Sequence, residues 1–279
     1  MKSKRDPLSL FLLAVVHASA AIAVFVVVAI VIYVVVNGVP NLTPDLFAFT
    51  YNSENQSMLP SLINTLLMVA LALLLACPVG ILAAIFLVEY TVTGSKLVKV
   101  LRLATETLSG IPSIIYGLFG RIFFVLVLGF DISLLSGSCT VALMILPLVI
   151  RTTEEALLSV PKSYREGSFG LGAGKLRTVF RIVLPSALPG IFAGVILAVG
   201  RIVGETAAII YTAGTVAELP GSVFDSTRTL AVHMYTLSCE GLFMDKTYAT
   251  AFVLLLLVLA LNGLSGLVAK KLTKGAGEK

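Results

Sequence analysis

The sequence predicts an all-α integral membrane protein with six membrane-spanning helices, and three observations predict it. Hydrophobic residues fill 58% of the 279 positions and charged residues 13%, at a mean hydropathy of +1.02. A soluble domain carries about a quarter charged residues. Six apolar runs are long enough to cross about 30 Å of hydrocarbon. Lys and Arg gather on one side of those runs, as they do in oriented membrane proteins.

The first run covers 12–36. Lys2, Lys4 and Arg5 precede it, and Ala18-Ser19-Ala20 resembles a cleavage site. The apolar stretch nevertheless continues unbroken through Val36, so a retained helix that doubles as the targeting signal is expected. The other runs fall at 61–88, 104–128, 138–158, 187–210 and 247–268. Inside hydrocarbon every backbone N–H and C=O must bond within the protein, which leaves the helix as the form for each run. Pro78 and Pro147 sit inside the second and fourth runs. Prolines there are tolerated as kinks.

With the N-terminus placed in the cytoplasm, the cytoplasmic segments hold Lys2, Lys4, Arg5, Lys96, Lys99, Arg102, Arg151, Lys162, Arg165, Lys175, Arg177, Arg181, Lys270, Lys271, Lys274 and Lys279. Arg228 and Lys246 fall outside, and Arg121 and Arg201 lie within the runs. Both termini are therefore predicted to be cytoplasmic. The net charge of +5 is explained by topology and implies no nucleic-acid partner; membrane lipids are the expected surroundings. Residues 37–60 read as a polar, turn-rich outer loop. Residues 211–246 read as a second, with Leu230, Val232, His233, Met234 and Leu237 forming a short amphipathic helix on the outer surface.

Enzyme chemistry finds no support. There is no Ser/His/Asp set, no HExxH and no metal-spaced Cys/His cluster, and His17 and His233 are remote from one another. Cys77, Cys139 and Cys239 give no disulfide framework. The segment GLGAGK, ending at Lys175, fails as a phosphate-binding loop. Gly170 is one residue too close to Gly174-Lys175, and Leu176 stands where a Ser or Thr hydroxyl must meet Mg²⁺. No catalytic residue, metal site or cofactor of this chain's own is expected.

The loop that contains it, about 159–186, is more informative. Glu166-Gly167-Ser168, three further residues, Gly172, nine more and then Ile182-x-Leu184-Pro185 resemble the EAA loop of ATP-binding-cassette (ABC) importer permeases, with Gly167 and Ser168 in place of two alanines. The pattern describes helix, tight turn, helix, with Gly172 supplying the positive φ that ends the first helix. Tyr164, Phe169 and Leu171 are apolar groups on a water-facing loop, the mark of a partner surface. The bland alternative is an amphipathic loop lying on lipid headgroups.

The resemblance extends further. Ile111-Pro-Ser113-Ile-Ile-Tyr116-Gly-Leu-Phe-Gly120 is similar to a signature of phosphate-importer permeases. Ala142–Ala156 and Gly204-Glu205-Thr206-Ala-Ala208 resemble the A-type subunit of that Pst-type family. It implies a type I ABC importer permease architecture: a first helix and outer loop over 1–57, a transport core over 58–270 and a cytoplasmic tail over 271–279. It implies a phosphate importer in the plasma membrane of a prokaryote. The implied partners are a sister C-type permease, two copies of a cytoplasmic ATPase holding ATP and Mg²⁺, and an extracytoplasmic phosphate-binding protein. The alternatives are a permease for another oxyanion, molybdate or sulfate, and an ATP-independent anion carrier. Inverted repeats would support the carrier, and none is evident.

Two charges deep in the fifth run need a reason, because an unpaired Arg at mid-membrane costs roughly 3 kcal/mol or more. Arg201 and Glu205 are four residues apart, one helical turn, on one face. Counted from Ala187, Arg201 falls in the outer half of the membrane. Two readings stand: a structural ion pair, or a pair lining the substrate route with the guanidinium facing phosphate oxygens. Arg121 sits at a comparable height and either joins that route or snorkels to the outer interface. Ser113 and Tyr116 either offer hydroxyls to phosphate or bond a neighbouring backbone. Arg121, Arg201 and Glu205 together leave one net positive charge, which favours an anion.

Overall fold

The computed structural model describes residues 7–91 and 95–277; Lys2, Lys4, Arg5 and Lys279 lie outside the described residues. The runs predicted to span are helical apart from breaks at Gly110–Pro112 and Gly204–Thr206. Among the described residues five helices are long and apolar enough to cross a membrane: Leu8–Asn41, Leu59–Tyr90, Leu134–Ser159, Lys175–Val203 and Met244–Leu267. A sixth crossing is possible only as a bent pair, Val98–Ser109 with Ser113–Val127, whose axes turn by 100°.

In chain order, α1 is Pro7–Gly38 and α2 is Leu59–Ile85, ending in a π turn at Phe86–Tyr90. Next come α3, Lys96–Ser109, and α4, Ser113–Gly120, which runs on as a π segment over Arg121–Val127. The helix α5 is Leu134–Ser159 and α6 is Lys162–Gly170. Then α7, Lys175–Thr178, continues through a π segment at Val179–Val183 into α8, Leu184–Val203. The last three are α9, Ala207–Thr212; α10, Leu230–Glu240; and α11, Met244–Gly277.

The third span corrects the sequence expectation of one straight helix over 104–128. Helix α3 stops at Gly110, whose N–H reaches the Thr107 carbonyl at 3.2 Å, and Ile111 reaches Leu108 at 3.2 Å. Pro112 then offers no N–H and pushes Ile111 out of the helical region. The chain turns and restarts at Ser113. Tyr116 Oη also donates to the Leu108 carbonyl at 2.8 Å, tying α4 back onto the end of α3.

The fifth span is corrected at both ends. Its helix begins at Lys175 rather than Ala187 and stops at Val203, with Gly204-Glu205-Thr206 breaking it before α9. A Cβ built on Gly190 would meet Ala156, and one on Gly194 would meet Thr152. The helices α5 and α8 are therefore antiparallel and in close contact, as small residues permit in membrane bundles.

The core is the packing of α2, α5 and α8. Met68, Ala72 and Ala76 of α2 meet Val141, Ile145 and Val149 of α5 and Ala198 and Ile202 of α8, all buried. A second cluster lies toward the α6 end, where Ile85, Leu157, Val160, Val179, Val183 and Ile191 pack together. Pro78 and Pro147 lie within continuous helices. Helix α1 stands apart, exposed along most of its length and held to α11 by Gly38 against Phe252 and by a Tyr33–Tyr248 hydroxyl contact of 3.1 Å.

Helix α10 forms over the predicted residues, with Tyr235, Ser238, Cys239 and Glu240 exposed and its other face buried. Leu230, Val232, His233 and Leu237 are all buried. Leu230 packs with Leu46, Met58, Ala249 and Val253, and its N–H donates to Thr65 Oγ1 of α2 at 2.8 Å. Only Met234 of the predicted apolar set is part-exposed. The apolar face of this amphipathic helix packs into the protein.

Candidate functional site

Some of the predicted functional residues gather in two regions, and the others lie apart from both. The first is the loop between α5 and α8. Helix α6 follows Pro161 and closes with Gly172 N–H on the Phe169 carbonyl at 2.9 Å and Ala173 N–H on the Ser168 carbonyl at 3.1 Å. Gly172 has φ of +80°, the left-handed conformation that a side chain disfavours. The helix–turn–helix reading is correct at that joint.

The loop's residues divide sharply by exposure. Tyr164, Glu166, Gly167, Phe169 and Leu171 face outward, Leu171 being 90% exposed. A Cβ added to Gly167 meets nothing within 4 Å, so an alanine there has room. Ser168 is buried, its hydroxyl 2.8 Å from Thr178 Oγ1 on α7. Ile182 and Leu184 are half-buried; Leu184 packs on the lower core cluster and Pro185 occupies the first turn of α8. These last three anchor the loop's second arm and add nothing to its exposed face.

Arg165 and Glu89 were not singled out by the sequence. Arg165 donates to Glu89 Oε1 from Nε at 3.0 Å and from Nη2 at 2.6 Å, and to the carbonyls of Val160 and Leu157, each at 2.9 Å. Both side chains are largely shielded. Glu89 does carry a sequence signal: it is an acid at the very end of an otherwise apolar run.

The second region is a cavity of about 510 Å³ between α3, α5 and α8, with Arg201 at its α8 wall. Arg102 binds Glu154 Oε1 through Nε and Nη2, at 3.1 and 2.8 Å, and Arg151 reaches Glu155 at 3.1 Å. Glu106 also lines the space, so three arginines face three glutamates. Ser109, Thr105 and Thr152 add hydroxyls. Arg201 shares this cavity with Leu148 and Thr152 of α5.

The predicted Arg201–Glu205 pair does not form among the described residues. The helix ends before Glu205, and the Glu205 carboxylate instead accepts from the Ala208 N–H at 3.1 Å, capping α9. Thr206 is half-buried at the cap position of α9, its carbonyl taking the Ile210 N–H. Arg121 is exposed at the start of the π segment and is not part of the cavity wall. Ser113 is half-buried at the first position of α4, and Tyr116 is spent on the Leu108 carbonyl. The predicted net positive cluster of Arg121, Arg201 and Glu205 is thus not assembled, and the cavity lining is charge-balanced. A separate apolar cavity of about 340 Å³ borders it, walled by Ile111, Ile115, Tyr116, Phe119 and Leu143, and shares Thr105 and Pro147.

Comparison with known proteins places these features in a family. Residues 76–274 match the model of the binding-protein-dependent transport system inner membrane component. A probable ABC transporter permease protein YqgI of Bacillus subtilis is 34% identical over 232 residues, covering 76% of this chain and 79% of its own length. The phosphate transport system permease protein PstA of Mycobacterium leprae is 34% identical over 205 residues, covering 72% and 67% respectively. PstA of Haemophilus influenzae is 33% identical over 227 residues and 80% of each chain. Among solved structures, a bacterial alginate ABC transporter in complex with an alginate pentasaccharide-bound periplasmic protein aligns with a TM-score of 0.70 at 16% identity over 95% of each chain. The MetNI methionine ABC transporter aligns at 0.61 and 20% identity, over 77% of this chain and 93% of its own. The broken third span and the exposed loop therefore sit on a type I importer fold, and the chain belongs to the family of binding-protein-dependent transport system inner membrane components, as a multi-pass permease subunit.

Proposed function

We propose that this chain is the A-type membrane-spanning subunit of an ATP-driven importer of inorganic phosphate in a prokaryotic plasma membrane, with both termini in the cytoplasm. The observation that carries the reading is the exposed loop of α6 and α7, whose Tyr164, Phe169 and Leu171 stand outward on the basic side of a chain of this family. Apolar groups held in water at a helix–turn–helix suit a cleft in a partner, here a cytoplasmic ATPase present in two copies. Glu166 and Gly172 set the loop's charge and shape. Nucleotide and Mg²⁺ belong to that ATPase. A sister C-type permease completes the membrane unit, and a phosphate-binding protein delivers substrate from outside.

Relatives named as phosphate permeases support the substrate. The balanced cavity lining favours an anion only locally, at Arg201, whose guanidinium is a planar, permanently charged donor for phosphate oxygens. Surrounding carboxylates keep such a site weak enough to release its ion. Closure of the ATPase dimer would push α6 and rock the rigid helices between two arrangements. In this reading Arg121, off the cavity, snorkels.

The test is the purified complex in proteoliposomes with the ATPase and binding protein. Arg201→Gln is expected to lower nucleotide-dependent uptake of inorganic phosphate at least tenfold while ATP hydrolysis is retained; unchanged flux would retire the site. Uptake without nucleotide would support a carrier instead. Inhibition by a small excess of molybdate or sulfate would move the substrate to another oxyanion.

A further inference from the structure

Helix α6 touches the rest of the protein through very few side chains. Of its nine residues, Lys162 to Gly170, only Arg165 and Ser168 are not exposed. They lie three apart on one helical face. Ser168 ties α6 to α7 through Thr178. Arg165 ties it to everything else: to the carbonyls of Leu157 and Val160 at the end of α5, and doubly to Glu89 at the end of α2. Besides the backbone joints at Pro161 and Leu171, these two side chains are where force on the outward face of α6 can leave the helix.

The receiving element is unusual too. Glu89 sits in the π turn Phe86–Tyr90 that ends α2. Such turns are rare and cluster at functional positions. The other arm of the loop meets the same turn, because Lys175 Nζ of α7 lies 5.2 Å from the centre of the Tyr90 ring. Both arms thus hold one short segment, with Glu89 on one side and Tyr90 on the other. The Arg165–Glu89 pair is only 18% and 8% exposed, and the guanidinium meets three acceptor groups in a fixed fork geometry.

We infer that Arg165 and Glu89 are the positioning residues through which movement of the α6–α7 loop is passed to α2 and α5, with the π turn of α2 as the receiver. This rests on the importer reading, since it needs a partner that moves the loop. The pair touches no substrate. Its loss should separate ATP hydrolysis from transport, where loss of an ordinary structural ion pair would lower both with the amount of folded protein.

The experiment uses the assembled complex in proteoliposomes, with Glu89→Gln (isosteric), Arg165→Met, and the exchange Glu89→Arg with Arg165→Glu. Phosphate taken up per ATP hydrolysed is expected to fall at least tenfold in each single variant at unchanged thermal stability and ATPase retention. The exchange should recover at least a third of the wild-type ratio. An unchanged ratio in Glu89→Gln, or an exchange no better than the singles, would overturn the joint. A second readout is independent of substrate: spin labels at Ser163 and Leu75, with Cys77, Cys139 and Cys239 replaced by Ala. Their separation should hold through the ATP cycle when the pair is intact and should change or broaden with nucleotide in Glu89→Gln. If the wild type takes up no phosphate yet keeps this behaviour, the substrate reading fails and the joint stands. If the separation responds to nucleotide identically with and without the pair, the joint fails.

Discussion

The two ends of the bundle handle buried charge in opposite ways. At the α6 end, Arg165, Arg102 and Arg151 each have a carboxylate partner, in pairs ranging from largely shielded to mostly exposed. At the other end Arg228 is 4% exposed, its Nε and Nη2 have no hydrogen-bond partner, and its guanidinium lies 4.7 Å from the Tyr51 ring centre. His233 is buried beside it, 6.3 Å from the same ring, with neither ring nitrogen hydrogen-bonded. The more exposed pairs, Arg102–Glu154 and Arg151–Glu155, let an element shift at little cost, since exposed pairs are worth about 0–1 kcal/mol, while the shielded Arg165–Glu89 pair ties α6 to α2. A guanidinium stacked under an aromatic lid cannot shift without losing the stacking that offsets its desolvation. The difference teaches which end is built to move and which to hold.

The sharpest way to break the comparison is at the moving end. Gly172→Pro removes the +80° φ and the N–H that closes α6. Uptake in the assembled complex is expected to fall at least a hundredfold while membrane insertion and thermal stability of the subunit stay near wild type. Wild-type uptake would remove the loop from the mechanism.

The holding end should instead respond to acid. Burial first and the Arg228 charge second push the His233 pKa from 6.5 to about 3, against a small opposite pull from the Gln56 main chain. Because the unfolded chain then binds the extra proton, stability is complete above pH 6.5 and declines as pH falls toward 3, by about 2 kcal/mol at pH 5. Thermal unfolding followed by circular dichroism between pH 7 and pH 5 should show the loss in the wild type. It should be absent in His233→Leu. Equal pH slopes would mean that this end is not sealed.

The smallest effect returns to the loop. Gly167→Ala adds a methyl with nothing within 4 Å. It should stabilise α6 by about 0.5–1 kcal/mol without lowering uptake, read as slower amide exchange over 163–170.

Most of the fold was legible because hydropathy and Lys/Arg placement are strong, additive signals. The loop was legible from a glycine whose φ the motif demanded. What escaped was geometry that depends on where helices stop. Gly110 and Pro112 fall inside the run predicted over 104–128, where the chain turns instead of continuing as one helix. Glu205 was read by helical spacing from Arg201, and a break at Gly204 cancels that spacing. The Arg165–Glu89 contact joins residues 76 apart in the chain, which no local pattern reveals. Arg228 was read only as an outer-side cation, and its burial against Tyr51 joins segments far apart in the chain.

The right-angled corner after α3 has a consequence for the chain as a barrier. Its charged face, with Lys96, Lys99, Arg102 and Glu106, suits a helix lying flat at the lipid headgroups, which leaves only Ser113–Val127 to cross. Fifteen residues reach about 22 Å, short of the roughly 30 Å of a bilayer's oily layer. A lone subunit would have to pinch the lipid around that stub or leave a leak beside it. A crossing that short is met by local thinning of the bilayer or by neighbouring protein, so the corner sets a demand on whatever surrounds it.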